Sequence, residues 1–147
     1  MLQVRTVYLL LTGKAEAVYR RFIELYPDSF VGYNQLAWFY ASRGERLSEA
    51  LELAKSADRL LPGNAGILDT IGWIHFQEER YQEAMDFLQK ASLAKHDRDP
   101  QILYHLAAVQ HAQGDGQAAK ASLEQAFRLA KVFEGSEDAR RLLSRLR

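Results

Sequence analysis

Apolar and small residues recur every three to four positions along most of the chain, which is the period of an α-helix with one buried face. Tyr33, Leu36, Ala37 and Tyr40 form the first clear example, and Gly44 follows them as a helix-ending signal. No stretch alternates apolar and polar residues at a period of two, so we expect no β-sheet. The pattern predicts an all-α fold.

The helical segments themselves repeat at a spacing of about 35 residues, within the range typical of stacked helical units. Three equivalent pairs fall in register, Leu36-Ala37, Ile71-Gly72 and Leu106-Ala107, and so do the small residues Ala50, Ala84 and Ala119. Small side chains at these positions let two antiparallel helices approach closely. Each unit is too small to bury its own apolar face, so the units must pack on one another.

The repeats differ in the lengths of their loops. Gly44 and Ala50 are one residue further apart than Gly114 and Ala119, which places an extra residue in the first repeat between its two helices. Ser48 is a predicted N-cap for the second of these helices. A further extra residue falls within 96–99, between the second and third repeats.

These residues resemble the tetratricopeptide repeat (TPR), whose first helix carries W-x2-L-G-x2-Y. The second repeat follows this pattern as Leu68-x2-Ile71-Gly72-x2-His75. The resemblance implies a right-handed superhelical stack of antiparallel helix pairs with a C-terminal capping helix. A second resemblance, carried by the segments LDTIGW, YHLAAVQHAQGD and EDARRLLSRL, is to the C-terminal part of bacterial TPR proteins associated with exopolysaccharide and protein-sorting loci.

We expect one TPR domain over residues 1–147. Its predicted parts are a truncated helical pair over 1–29 (helices 2–12 and 15–26), repeats over 30–64, 65–99 and 100–134, and a capping helix over 135–147. In the capping helix, Ser136 is a predicted cap and the apolar residues cover the end of the stack. Its arginines, Arg140, Arg141 and Arg145, fit a solvated outer face, which we favour over a contact with nucleic acid or with an acidic membrane.

Composition excludes several classes of function. Lysine plus arginine equals aspartate plus glutamate at 19 each, a balance that argues against general nucleic-acid binding. The chain has no cysteine, so thiolate metal sites and disulfides are excluded. It has no apolar run of the ~20 residues that a membrane helix needs, so we expect no membrane insertion. The short apolar stretch near the start, cut by Thr12-Gly13-Lys14, is a poor secretion signal.

Motifs for catalysis and cofactor binding are absent, so we predict a protein without enzymatic activity, cofactor or metal. His75 falls at an inward position and is expected to pack in the core. His96 with Asp97 and Asp99 could hold a metal, but a polar connecting loop explains them better. An alternative enzyme hypothesis would use His105 and His111, whose spacing suits metal sharing poorly.

In TPR proteins the first helix of each repeat lines a concave groove that contacts the ligand. By resemblance, the partner-binding positions of this chain are Asn34, Trp38, Asp69, Trp73, Phe76, Gln101, Tyr104, His105 and His111. Trp38 and Trp73 occupy the same position in neighbouring repeats, and burial between repeats is the alternative to groove exposure. The lysines of the carboxylate-gripping TPR subtype are missing here, so we expect a more apolar peptide.

The sequence thus predicts a non-enzymatic scaffold that binds a peptide or helical segment of a protein partner in a concave groove. The alternative is a self-assembling structural module of a larger bacterial assembly or of an export or polysaccharide system, which would form a homo-oligomer. The expected location is the cytoplasm for a complete protein and the periplasm for a fragment of an exported one.

Overall fold

The computed structural model describes residues 2–146, with side chains described from Leu10 onward. Every regular element in this range is an α-helix, as the sequence predicts. The helices are α1 (Leu2–Leu25), α2 (Phe30–Ala41), α3 (Leu47–Leu60), α4 (Ala65–Gln77), α5 (Tyr81–Ala94), α6 (Pro100–Ala112), α7 (Gly116–Leu129) and α8 (Ser136–Leu146). They divide into two compact units: an N-terminal unit of α1 to α3 and a C-terminal unit of α4 to α8.

A hydrogen-bonded network joins the three helices of the N-terminal unit around Tyr40. The buried Tyr40 hydroxyl donates to Glu16 Oε1 at 2.7 Å and accepts from Arg20 Nη2 at 2.8 Å. Arg20 also pairs with Glu49 at 2.8 Å, and Arg46 reaches Glu16 at 3.2 Å. The hydrogen bond from Tyr40 is the main cause that lowers the pKa of Glu16. The inward tyrosine of the TPR pattern thus fixes α2 against α1 and the start of α3.

The inward position held by Tyr40 carries other polar residues in the C-terminal unit. His75 is 6% exposed, as expected for a packed residue, and its ring lies 5.5 Å from that of Phe87. Burial is the main cause that lowers the pKa of His75. Gln110 accepts a 2.8 Å hydrogen bond from the Ser122 hydroxyl. Each repeat therefore places a different polar side chain at this position.

Small residues set the distance between paired helices. Ala37, Ala50, Ala84, Ala107 and Ala119 are completely buried. A Cβ added at Gly72 would lie 2.6 Å from Leu88 Cγ, so α4 and α5 approach too closely there for any side chain without a shift. The core of the C-terminal unit continues from this crossing through a cluster of buried residues, Ala84, Leu88, Leu103, Leu106, Val109 and Ala126.

The turns between paired helices use left-handed backbone conformations at matching positions. Gly44, Glu79 and Gly114 have φ values of 65°, 61° and 88°. Arg46 adds a second left-handed residue in the longer turn of the first repeat, and it precedes α3 without a side-chain cap. The prediction that Ser48 caps α3 is therefore wrong, because the helix already begins at Leu47 and the left-handed turn sets its start.

The predicted pair of N-terminal helices is a single helix instead. α1 runs from Leu2 to Leu25 through Thr12-Gly13-Lys14, which we interpreted as a break. Gly13 keeps an ordinary helical φ, and an interior glycine costs a helix only about 1 kcal/mol. With no proline or capping motif in the segment, nothing forces the helix to end there. The terminal residues Met1 and Arg147 of the predicted boundaries lie outside the described residues.

We predict that Gly32→Ala destabilises the protein by about 1–2 kcal/mol. Gly32 is buried on α2, and an added Cβ would lie 2.8 Å from Phe22 Cδ1 and 2.9 Å from Ile23 Cγ1 of α1. The matched control is Gly13→Ala, since an added Cβ there meets nothing within 4 Å and should stabilise the helix by up to about 1 kcal/mol. Urea unfolding followed by helical circular dichroism measures both; equal stabilities of the two variants would contradict the close packing of α1 on α2.

Candidate functional site

The candidate site lies in the C-terminal unit, where α4, α6 and α8 share one face. Its centre is the indole of Trp73, which stacks on Phe76 at 4.7 Å and on His105 at 4.2 Å between ring centroids. The Tyr104 ring lies 5.9 Å from the indole at a tilted angle. Trp73 is only 9% exposed, so its orientation is fixed by its neighbours before any ligand arrives.

A buried polar pair supports this aromatic stack from below. Asp69 Oδ1 lies 2.7 Å from His105 Nδ1, and the two residues are 6% and 2% exposed. With the Asp69 carboxylate as the acceptor, this hydrogen bond requires the His105 tautomer that carries its proton on Nδ1. The pair ties α4 to α6 and holds the imidazole flat against the indole. It is a positioning element for Trp73.

Beside the stack is an open pocket of about 410 Å³, a volume typical of ligand-binding clefts. Three helices supply its lining residues, Trp73, Phe76, Tyr104, Ala108, His111, Ala112, Asp138, Arg141, Leu142 and Arg145. Ala108 and Ala112 lie one turn apart on α6, and their small side chains leave the space that the aromatic residues and Leu142 enclose. The walls are mainly apolar, and α8 adds charged groups at the rim.

The approach of α8 depends on Gly135. Its φ of 86° is left-handed, and an added Cβ would lie 2.7 Å from Tyr104 Cε1, so the chain passes directly over the tyrosine ring. Burial raises the pKa of Tyr104 to about 12; the Asp138 carboxylate adds to this rise and the Arg145 guanidinium opposes it. The charges of α8 therefore act on the pocket wall.

The two rim arginines differ in their partners. Arg141 pairs with Asp138 at 3.0 Å and with Glu137 at 3.8 Å, and its side chain is 70% exposed. Arg145 is also exposed, and among residues 2–146 no carboxylate lies within 4.0 Å of its guanidinium. As far as the described residues show, the rim thus holds one compensated and one uncompensated positive charge.

Seven of the nine sequence-predicted partner-binding residues lie in this unit, and six of them are at or next to the aromatic stack and the pocket. These six are Asp69, Trp73, Phe76, Tyr104, His105 and His111, of which only His111 is exposed. Three of them are more deeply buried than a groove-lining role suggests: Trp73, Asp69 and His105. Gln101 is half-buried in the first turn of α6.

The other two predicted residues belong to the N-terminal unit. Asn34 and Trp38 are both half-buried on α2. The Asn34 side-chain oxygen is buried and has no hydrogen-bond partner among the described residues.

Sequence reasoning missed the contribution of α8 and of Ala112. We interpreted Arg141 and Arg145 as part of a solvated cap face, and both are indeed exposed, but they also border the pocket. Residues four apart lie on the same edge of a helix, and Leu142 lies on the buried side of α8. This spacing is the signal that could have predicted one charged edge of α8 facing α6.

The described residues also bear on metal binding and on membrane insertion. Across residues 2–146, no three histidine, aspartate or glutamate side chains gather in a group that could hold a metal ion. None of the helices in that range combines the length and the apolar character needed to cross a bilayer.

We predict that Asp69→Ala destabilises the protein by about 1–3 kcal/mol, because it removes the carboxylate that hydrogen-bonds the buried His105 Nδ1. The double-mutant cycle uses His105→Phe, which keeps a flat ring under Trp73 and has no ring nitrogen. In that background the cost of Asp69→Ala should fall by about 1 kcal/mol or more. Additive costs in urea unfolding would show that the two side chains are not coupled.

We predict a loss of stability at high pH that depends on Tyr104. Its pKa is raised from 10.0 to about 12 in the folded protein, so the unfolded chain loses this proton first. The stabilising contribution is complete below pH 10 and falls as the pH rises towards 12, by on the order of 2 kcal/mol. Tyr104→Phe lacks the ionising group and should lose less stability over this range in urea unfolding. Parallel pH profiles for the two proteins would contradict the burial of the hydroxyl.

Comparison with known proteins identifies the repeats. Family models for the tetratricopeptide repeat match residues 18–52, 65–95 and 100–133, which together exceed half of the chain. The crystal structure of TTC0263, a thermophilic TPR protein from Thermus thermophilus, superimposes with a TM-score of 0.77 at 21% identity, covering 95% of this chain and 75% of that one.

Two curated relatives align with parts of the chain. The TPR repeat-containing protein PA4667 of Pseudomonas aeruginosa is 35% identical over 65 residues, which cover 44% of this chain and 11% of the relative. The rat mitochondrial import receptor subunit TOM70 is 30% identical over 102 residues, or 69% of this chain and 17% of the relative. The chain therefore matches only a small part of each relative's length. The TPR fold is a protein–protein interaction scaffold that is generally non-catalytic, and this chain belongs to the tetratricopeptide repeat family.

Proposed function

We propose that this protein is a scaffold that binds a peptide or helical segment of a protein partner, with the pocket between α4, α6 and α8 as its main anchoring point. The observation that carries the proposal is the fixed aromatic wall of Trp73, Phe76 and Tyr104 beside an open, mainly apolar pocket. Tryptophan and tyrosine are enriched among the residues that dominate binding energy at protein interfaces.

The burial of Trp73 is compatible with this role. Its indole is held by Phe76 and His105, and its remaining exposed edge faces the pocket. An apolar side chain that enters the pocket would cover this edge and displace water from it. Because the rings are already ordered by the contact of His105 with Asp69, binding would cost little additional side-chain entropy.

The relatives favour a protein segment as the ligand. TOM70 is named as a mitochondrial import receptor subunit, and 102 residues of it align with this chain at 30% identity. The pocket is also shaped for part of a chain, because it is open on one side and has a polar rim. An amphipathic helix or an extended peptide presents a single apolar anchor in this way.

The remaining predicted contact residues are proposed as additional partner contacts, one in the C-terminal unit and two in the N-terminal unit. Gln101 lies on the same helix as Tyr104 and His111, at its N-terminal end. On α2, Asn34 and Trp38 are proposed to contact the partner through their half-exposed side chains. The role of the whole surface is recognition without chemistry.

We predict that Ala112→Trp blocks peptide binding while leaving the fold intact. Ala112 lines the pocket and is exposed, so a large side chain can occupy the open space without overpacking the core. The matched control is Ala121→Trp, which adds the same side chain at an exposed position of α7. The probe is a set of random peptides displayed on phage and selected on the wild-type protein, then synthesised with a fluorescent label.

Fluorescence anisotropy should show that Ala112→Trp weakens binding of the selected peptides by at least about tenfold, as expected for loss of a central interface contact. Ala121→Trp should stay within about twofold of the wild type. Equal binding by all three folded proteins would reject the pocket as the docking site.

A further inference from the structure

We infer that the docked segment carries a carboxylate next to its apolar anchor, and that Arg145 of the last helix selects it. This inference rests on the proposed docking function and names the class of partner: an acidic protein segment with one large aliphatic or aromatic side chain. The argument comes from the charges around the pocket.

Arg141 and Arg145 lie one helical turn apart on α8, and both line the pocket. Arg141 is already compensated by Asp138, with Glu137 at a longer distance. Arg145 has no carboxylate within 4.0 Å among the described residues, so its charge is available to a ligand. Within residues 2–146, the rim therefore offers one cationic position without a compensating acidic group.

Arg145 and Tyr104 line the same pocket. The positive charge of Arg145 also opposes the rise in the pKa of the Tyr104 hydroxyl. Aromatic and aliphatic walls keep the local dielectric constant below that of water, which strengthens an ion pair at their edge. An apolar anchor seated against Trp73 would therefore place a neighbouring carboxylate within reach of Arg145.

The chemistry of the arginine side chain favours a carboxylate. A guanidinium offers two parallel N–H donors that match the two oxygens of a carboxylate. Nucleic acid fits the surface less well, because binding to a phosphate backbone needs several cationic contacts and the chain has no net charge. The arginines of α8 thus add charge selection to an apolar site.

The test uses three pools of short synthetic peptides that share a central phenylalanine or leucine. The flanking residues are aspartate and glutamate in the first pool, asparagine and glutamine in the second, and lysine in the third. Fluorescence anisotropy gives the affinity of each pool for the full chain at low and high salt. The variants are Arg145→Glu and its control Arg128→Glu, which reverses an exposed charge in the last turn of α7, away from the pocket.

The acidic pool should bind the wild type about fivefold more tightly than the amide pool at low salt, with the lysine pool weakest. High salt should reduce the difference, because the pair lies at an exposed rim. Arg145→Glu should abolish or invert the preference, while Arg128→Glu should retain it. Helical circular dichroism checks that both variants are folded.

Three results would overturn the inference, and they separate it from the docking proposal. If the acidic and amide pools bind equally and Ala112→Trp blocks both, the docking proposal stands and charge selection is rejected. If Arg145→Glu still binds the acidic pool more tightly than the amide pool, a group other than Arg145 selects the carboxylate. Failure of every pool to bind the wild type at about millimolar concentration, the weak limit of useful recognition, would reject the docking proposal together with the inference.

Discussion

The close approach of paired helices is the constraint on which the rest of this structure depends. Where α1 crosses α2, the space beside Gly32 is too small for an added methyl group. The space beside Gly72, where α4 packs on α5, is too small as well. Fully buried alanines occupy the corresponding contacts elsewhere. Because the paired backbones lie so close, the larger side chains are directed to the outer edges of each pair, where they meet the neighbouring helices.

The candidate site is a consequence of this arrangement. Trp73 follows Gly72 directly on α4, so the smallest residue of the helix faces α5 while the largest is directed towards α6. There it meets His105, which Asp69 holds in place. Ala108 and Ala112 leave a space on α6 that the aromatic rings border but do not fill. Gly135 lets α8 close one side of that space and bring its charges to the rim.

The sequence predicted the fold well because its signals are local and repeated. Three signals agree with one another: the 35-residue register of the repeats, the small residues at helix contacts, and the left-handed positions at Gly44 and Gly114. The structure is helical in the segments that these signals predict to be helices. The N-terminal pair was predicted wrongly because Gly13 looks the same in sequence whether it ends a helix or lies within one. The difference depends on packing and backbone angles, which periodicity does not report.

The site was predicted less completely, for a physical reason. The TPR pattern predicts which residues of the first helices face the expected groove, and Trp73, Tyr104 and His111 are among them. The pattern does not predict the exposed fraction of each side chain. That fraction depends on contacts between helices distant in sequence, such as the contact of Asp69 with His105. The role of α8 was missed because a capping helix has no fixed register against the groove.

The most direct measurement of the central claim, that partners anchor beside Trp73, is an NMR titration of the protein with a selected peptide. The chain has two tryptophans, so only two indole N–H signals are expected, and a Trp38→Phe variant assigns them. The account predicts that the Trp73 indole signal shifts together with backbone amides of α6 and α8 around Ala112 and Arg145. Shifts confined to α5 and α7, the second helices of their repeats, with the Trp73 signal unchanged at saturation, would contradict it.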